Sequence, residues 1–230
     1  MQSLLCDGHA VVVNPELCLS PLTWYLPHFW VVSSTKFRVV FNPSATFQGV
    51  SLNNSLFSGP DLNNTLIGVL RRFQQYAYAM VADVNQIYLQ VFVPTEQQDS
   101  LRFLWFREGD PAKGIEHYKM TRHAYGVGPA GFCALSAVRK TADDNECNAP
   151  KKVCDIPRRN TYIDDTLYSH PDQFVLKSHV HDLIKLYKSG KFVLRNFLSN
   201  SKPLSNSSGK ESINGLELIK NLRKTNLPLL

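Results

Sequence analysis

Two adjacent carboxylates, Asp164 and Asp165, lie in the segment N-T-Y-I-D-D-T-L-Y-S, between two short runs of strand-forming residues. Asp is depleted inside strands and frequent in tight turns. The pattern therefore predicts a β-hairpin with both acids at its tip. The simplest interpretation of an isolated Asp-Asp pair is turn chemistry alone, so a catalytic interpretation requires a third carboxylate on a neighbouring strand.

The candidate third carboxylate is Asp83, near the end of the apolar run A-Y-A-M-V-A-D-V, which is typical of a buried strand. An ionised Asp there is costly to bury unless it is paired or bound to a cation. Three converging carboxylates repel one another and need a cation to stay charged together at neutral pH. Mg²⁺ binds carboxylate oxygens and substrate phosphates, and two such ions about 3.5–4 Å apart serve phosphoryl transfer. We therefore expect two Mg²⁺ ions, or Mn²⁺, and a polymerase-like activity.

Two further segments could bind phosphate. K-F-R-V-V-F-N alternates as a strand does, which places Lys36 and Arg38 on one face. Such a pair could hold a triphosphate, or it could simply be a solvated strand face. Y-G-V-G-P-A-G begins at Tyr125 and precedes a predicted helix, where backbone amides could approach a phosphate or a base. This loop matches neither a Walker loop nor a dinucleotide fingerprint.

Composition restricts the class of protein. The chain has 230 residues, of which 43% are hydrophobic and 11% aromatic, as in a globular protein. It has no apolar run of the ~18 residues that a membrane span needs, and M-Q-S-L-L-C-D-G-H lacks the pattern of a signal peptide. Five cysteines without a C-x-x-C pair argue against a disulfide framework and a zinc site. We expect an intracellular protein, cytoplasmic or particle-associated and not secreted, with no membrane partner.

The net charge is +6, and it is concentrated towards the end of the sequence. Between Lys185 and Lys224 there are nine Lys and Arg residues and two Glu. A basic segment downstream of an acidic hairpin suits a phosphate-backbone partner. The alternative for Ser201 onward is a solvated tail.

The elements that would position these residues are strands and helices in mixed order, which predicts an α+β fold. Residues 1 to about 35 read as irregular. A helix is predicted with its cap near Asp61, followed by the strand that ends at Asp83. S-L-R-F-L-W-F and H-Y-K-M-T-R-H-A-Y predict two strands, and F-C-A-L-S-A-V-R-K-T-A predicts a helix. After the acidic hairpin we expect an amphipathic helix that ends at Gly190 and a last strand in K-F-V-L-R-N-F-L-S-N.

Taken in order, these segments resemble a known family, the reverse transcriptase of Pao (Bel-Pao) type LTR retrotransposons. The resemblance runs from about Gly8 to about Asn200. The motifs that carry it are Y-L-P-H, K-F-R-V-V-F-N-P-S-A, G-V-S-L-N-N-S-L-F-S-G-P-D-L, V-A-D-V-N-Q-I-Y, L-R-F-L-W, Y-G-V…R-K-T-A-D-D-N, Y-I-D-D and S-G-K-F-V-L-R-N-F-L-S-N.

The resemblance implies an RNA-directed DNA polymerase with right-hand architecture. Its fingers and palm would include an antiparallel palm sheet backed by helices, and its thumb would be missing or incomplete. Residues 1–35 would form an N-terminal segment on the fingers side, residues 36–200 the fingers and palm, and residues 201–230 a linker-like basic tail. The implied partners are an RNA or DNA template with its primer and deoxynucleoside triphosphates.

The resemblance also assigns roles to residues. Asp83 and Asp164 would be direct metal ligands, with Asp165 secondary. The nucleotide-binding residues would be Lys36 and Arg38 at the triphosphate, Tyr88 against the sugar 2′ position, and Tyr125 and Gly126 near the nascent base pair.

The sequence departs from the family pattern at Asn42, Gly131 and Asn196, where the family has Asp, Pro and Lys. Arg195, beside Asn196, is too basic to replace that Lys as a proton donor. We therefore expect a truncated or degenerate copy of a polyprotein domain, with protease, RNase H and integrase domains in a full-length element. The alternatives are a non-catalytic nucleic-acid-binding remnant and an unrelated globular interaction domain.

Overall fold

The computed structural model describes residues 1–14, 21–33, 36–201 and Leu204, with only the backbone described at Ser33, Lys36 and Phe37. The chain forms two compact units. The first comprises the described residues of Met1–Asp61 and Tyr88–Ala134, and the second comprises Leu62–Ile87 and the described part of Leu135–Leu230. Most of the predicted basic tail, 201–230, lies outside the described residues, and the predicted boundaries at 35 and 200 stay predictions.

The described helices and strands follow one another in mixed order along the chain. The helices are α1 (Gln2–Cys6), α2 (Leu52–Ser55), α3 (Leu66–Phe73), α4 (Ala130–Asp144), α5 (Lys151–Arg159) and α6 (Gln173–Ser189). The strands are β1 (Ala10–Val12), β2 (His28–Ser33), β3 (Lys36–Phe41), β4 (Tyr78–Val84), β5 (Arg102–Phe106), β6 (Ile115–Met120), β7 (Thr161–Tyr162), β8 (Asp165–His170) and β9 (Leu194–Ser199). Short 3-10 helices cover Ile87–Gln90, Thr95–Leu101, Arg107–Gly109 and Pro111–Lys113.

The first unit contains a three-stranded antiparallel sheet, in the order β1-β6-β5, and the antiparallel ribbon β2-β3. Its core is built around Phe103, Tyr118 and Met120, which are almost completely buried. Apolar side chains on alternate positions of β5 and β6 supply this core because neighbouring residues of a strand point to opposite faces.

The second unit is organised by an antiparallel sheet in the order β7-β8-β4-β9. α3 covers part of one face, where Val69 and Phe73 pack against Ala79 and Leu167. α6 contacts β4 and β8, and α5 contacts β7 and β8. The mixed α+β class with antiparallel sheets is therefore confirmed.

The local sequence pattern gave a wrong prediction of secondary structure in two places. The first 35 residues are not simply irregular, because β1 and β2 form by pairing with β6 and β3, and such pairing is not visible in a local window. The helix predicted from about Asp61 begins instead at Leu66. The Asn64 amide donates to the carbonyl oxygens of Arg158 and Thr161 (3.1 and 2.8 Å), which ties this segment to α5 and β7 ahead of the helix.

The acidic hairpin forms as predicted, with one correction. Its strands pair Tyr162 with Asp165, so the connecting turn consists of Ile163 and Asp164. Asp165 is the first residue of β8 rather than part of the tip. In the described part of the chain, no helix is long and apolar enough to cross a membrane.

Candidate active site

The antiparallel pairing of β4 and β8 places Asp83 directly opposite Asp165. Asp164 precedes Asp165 in the turn, and its carbonyl oxygen accepts a hydrogen bond from the Val84 N–H at 2.8 Å. The backbone of the turn is thus bonded to the residue that follows Asp83. The three predicted carboxylates are brought to one end of the same sheet, although Asp83 and Asp164 are 81 positions apart in the sequence.

The turn that carries Asp164 is conformationally strained. Ile163 has φ of +55°, and a β-branched residue in this left-handed region is a genuine outlier. Such residues cost of order 1–3 kcal/mol and persist where the surrounding structure over-determines them.

Buried hydrogen bonds provide that surrounding structure. The hydroxyls of Thr161, Thr166 and Tyr187 form a closed triangle with oxygen–oxygen distances of 3.1–3.2 Å. Asn160 bonds Leu167 twice, since its carbonyl oxygen accepts from the Leu167 N–H and its amide donates to the Leu167 carbonyl oxygen. Together these contacts fix β7 to β8 and attach the hairpin to α6.

Arg195 neutralises part of the acidic cluster. Its Nε–H donates to Asp83 Oδ2 at 2.8 Å, and the two side chains are 51% and 19% exposed. The other oxygen, Asp83 Oδ1, is buried without a hydrogen-bond partner. An ionised Asp in a mostly buried position needs a cation, and here a guanidinium supplies that charge.

The acids also act on one another. Partial burial raises the pKa of Asp165, because water is excluded from part of the side chain. Asp164 and Asp83 raise this pKa further, because they repel the charged form of Asp165. A bound cation would relieve this repulsion.

The three carboxylates are suitable ligands for divalent ions, but their side chains are not arranged as a metal-binding site. Carboxylate oxygens are the ligands that Mg²⁺ prefers, and Asp83 Oδ1 is an unpaired acceptor at this place. Among the residues described, no group of three or more His, Cys, Asp or Glu side chains is arranged to hold a metal ion. Side chains would have to rearrange before three of them could share one ion.

The predicted nucleotide-binding residues lie in the first unit, so they are described separately. Arg38 lies in β3, opposite Val31 of β2, and is exposed. Lys36 is in the same strand, two positions earlier, and its side chain lies outside the described part of the structure. The alternation of a strand places both positions on one face of the ribbon.

Tyr88 and Tyr125 contact each other edge to face, with ring centroids 4.8 Å apart. Gly126 follows with φ of +90°, a conformation that residues with a Cβ rarely adopt. The structure therefore brings three of the five predicted nucleotide-binding residues together.

Asn53 is a residue that sequence reasoning missed. Its amide donates to the Gly126 carbonyl oxygen at 3.0 Å, and its side-chain oxygen accepts from the Gly128 N–H at 2.9 Å. A Cβ at Gly128 would lie 2.9 Å from Ser58 Oγ, so this glycine permits a close approach. Asn53 thereby fixes the glycine-rich loop. It stands in an ordinary N-N-S run, which carried no signal of this role.

Of the comparisons with known proteins, the one with solved structures bears on the fold. No family model and no curated protein sequence matches the chain. Among solved structures, the foamy viral protease-reverse transcriptase in complex with double-stranded DNA matches with a TM-score of 0.62 and 16% identity, over 83% of this chain and 28% of that one. Native Prototype Foamy Virus protease-reverse transcriptase matches with a TM-score of 0.62 and 16% identity, over 84% and 22%.

A third match is the foamy viral protein in complex with an RNA/DNA hybrid, with a TM-score of 0.60 and 15% identity, over 84% of this chain and 22% of that chain. This chain thus spans less than a third of the length of each of these three proteins. At this level of identity the likeness concerns the fold alone. The fold of this chain is similar to that of a reverse transcriptase.

Proposed function

We propose that the chain is an RNA-directed DNA polymerase domain of reverse transcriptase type, from a Pao type retrotransposon polyprotein. The observation that carries the proposal is the pairing of Asp83 with Asp165, with Asp164 in the adjoining turn. The likeness to foamy viral reverse transcriptases supports it. A fingers and palm arrangement and an intracellular location belong to the same proposal.

In this proposal Asp83 and Asp164 hold two divalent ions, and Asp165 supports them. Bound Mg²⁺ or Mn²⁺ would make the primer 3′ hydroxyl more acidic and neutralise charge on the leaving pyrophosphate. The sheet positions the carboxylates, because strand pairing holds the hairpin against β4 and the buried hydroxyl triangle attaches the hairpin to α6. Positioning and electrostatic stabilisation account for most catalysis of this kind.

The first unit supplies the nucleotide contacts in the proposal. Arg38, with Lys36, grips the triphosphate, since a guanidinium can hold two phosphate oxygens at once. Tyr88 lies against the sugar 2′ position and excludes ribonucleotides. Tyr125 and Gly126 lie near the nascent base pair, on the loop that Asn53 fixes.

The partners follow from the proposed reaction. They are deoxynucleoside triphosphates and a primer on an RNA or DNA template. Two of the similar foamy viral structures are complexes with double-stranded DNA and with an RNA/DNA hybrid. Protease, RNase H and integrase domains would accompany this one in a full-length element.

The test is incorporation of dTTP on a poly(rA) template with an oligo(dT) primer and Mg²⁺ or Mn²⁺. Asp164→Asn should reduce incorporation to background, because it removes a ligand charge worth several kcal/mol of transition-state stabilisation. Asp144→Asn is the matched control, since Asp144 is an exposed residue at the end of α4 paired with Lys140. Extension by the Asp164→Asn variant at an undiminished rate would reject the proposal.

A second candidate is a degenerate copy that binds nucleic acid without catalysis. The ion pair between Arg195 and Asp83 favours it, because a guanidinium holds the carboxylate that the metal would use. RNA binding that weakens steeply with salt, without incorporation, would support this candidate. Absence of both activities would leave an interaction domain of unrelated function.

A further inference from the structure

Arg195 faces the acidic cluster because of an irregularity in β9. β4 and β9 pair Val81 with Leu198 but Asp83 with Arg195, so β9 contains one extra residue between these pairs. Regular pairing from Leu198 would have placed Asn196 opposite Asp83. A shift of one residue turns every side chain to the other face of a strand. The bulge therefore places Arg195, rather than Asn196, opposite Asp83.

The extra residue suits the sequence. Asn196 has φ of +52°, within the left-handed region. Asn is among the few residues with a Cβ that tolerate this region, and bulges commonly re-aim a side chain next to active sites. The two consecutive residues thus act together: Asn196 adopts the backbone conformation of the bulge, and Arg195 contacts the Asp83 carboxylate.

We propose that Arg195 is a resident cation that a divalent ion must displace from Asp83 before it can bind. The proposal rests on the proposed function, in which Asp83 is a metal ligand. The guanidinium occupies Oδ2, while Oδ1 is buried and without a hydrogen-bond partner. A doubly charged ion at this carboxylate would repel a guanidinium at hydrogen-bonding distance. Metal and Arg195 therefore compete for Asp83.

The ion pair between Arg195 and Asp83 stabilises the metal-free protein. Asp83 and Asp165 stand opposite each other, and like charges in that position destabilise a sheet. Arg195 offsets the charge of Asp83 while no metal is bound. Its half-exposed side chain has room to move into solvent when a divalent ion arrives.

Direct Mn²⁺ binding to the full chain tests the competition without any turnover. The free ion is measured by electron paramagnetic resonance, for the wild type and for Arg195→Gln. We expect the variant to bind Mn²⁺ about tenfold more tightly, because a unit charge adjacent to the ligand has been removed. Lys185→Gln removes an equal charge from an exposed ion pair on α6, and should change the affinity by less than about twofold.

Asp83→Asn separates the two ideas. If Mn²⁺ binding is lost in Asp83→Asn but is equal in the wild type and Arg195→Gln, Arg195 does not compete and only this inference fails. If Mn²⁺ binding is absent from all the variants or indifferent to Asp83→Asn, the metal site of the proposed function fails as well.

Two further measurements test the inference even if Arg195→Gln does not fold. Arg195→Lys keeps the charge but loses the planar fork, so it should bind Mn²⁺ with an affinity between those of the wild type and Arg195→Gln. In the wild-type protein, Mg²⁺ should shift the Nε–H nuclear magnetic resonance of Arg195 as its hydrogen bond to Asp83 breaks. An Arg195 resonance that stays unchanged at saturating Mg²⁺ would overturn the inference.

Discussion

The acidic end of the four-stranded sheet and the β2-β3 ribbon carry the two halves of the proposed chemistry, and they are built differently. At the sheet end, Asp83 and Asp165 lie on strands whose neighbouring residues, Ala82 and Thr166, are completely buried. On the ribbon, Trp30 and Val32 are 72% and 69% exposed. Phe29 and Val31, which point to the opposite face, are also exposed.

One end of the ribbon packs against the core of its own unit. His28 and Phe41, which pair at that end, contact Phe103 at ring-centroid distances of 6.2 and 5.2 Å. A two-stranded ribbon is marginally stable by itself, whereas a sheet with buried faces is held by its packing. The strands that carry the carboxylates are thus more closely packed than the described side chains of β2.

Matched truncations give the largest expected difference between the two regions. Leu167→Ala in β8 should lower the free energy of unfolding by about 2–5 kcal/mol, because it leaves a cavity against Val69 and Phe73. Val32→Ala on the ribbon should change it by less than about 0.5 kcal/mol, because the side chain is mostly solvated. Urea denaturation measures both. Equal losses in the two variants would mean that the ribbon is as firmly packed as the sheet.

The sequence predicted the sheet end well because its signals are local. An apolar run that closes on Asp83, and a pair of acids between strand-forming residues, indicate a strand and a hairpin without knowledge of the rest of the chain. The helices α4 and α6 were likewise predicted by apolar spacing and by Gly190. Convergence of the acids was a hypothesis drawn from their residue types, since no local pattern specifies which strands pair.

Other features were beyond sequence reasoning for a physical reason. The contact of Arg195 with Asp83 depends on a one-residue bulge, and regular pairing continued from Val81 and Leu198 would place Asn196 opposite Asp83. An Asn next to an Arg in a strand is a weak signal of such a bulge. The sequence did not predict β1 because this strand has only three residues. It did not predict β2 because apolar side chains lie on both faces of that strand, so the polar and apolar alternation of a half-buried strand is absent.

An isosteric exchange sharpens the comparison at a smaller scale. Thr166→Val removes one hydroxyl from the buried triangle with Thr161 and Tyr187. It should destabilise the protein by about 1–3 kcal/mol, since buried polar groups lose a partner. The reverse exchange on the ribbon, Val31→Thr, should cost less than about 0.5 kcal/mol because that side chain is exposed. Thermal unfolding of both variants checks this. A neutral Thr166→Val would show that the triangle does not hold the hairpin.

The smallest effect concerns pH, for which the two regions have opposite signs. The pKa of Asp165 is raised by partial desolvation and by Asp164 and Asp83. The folded state then binds more protons than the unfolded state, so this group lowers stability as pH rises from about 3.9 towards its raised pKa. At the root of the ribbon, burial lowers the pKa of His28. That group lowers stability as pH falls from about 6.5 towards its reduced pKa.

Nuclear magnetic resonance titration can separate these two contributions. The Asp165 carboxyl carbon should titrate above the range of an unperturbed Asp, and the His28 ring should titrate below that of an unperturbed His. Asp83→Asn should lower the pKa of Asp165, because it removes one of the two repelling charges, and it should leave the pKa of His28 unchanged. If the Asp165 midpoint did not move in Asp83→Asn, the two carboxylates would not be electrostatically coupled. The acidic end of the sheet would then differ from the ribbon in packing alone, without the charge repulsion that a divalent ion would relieve.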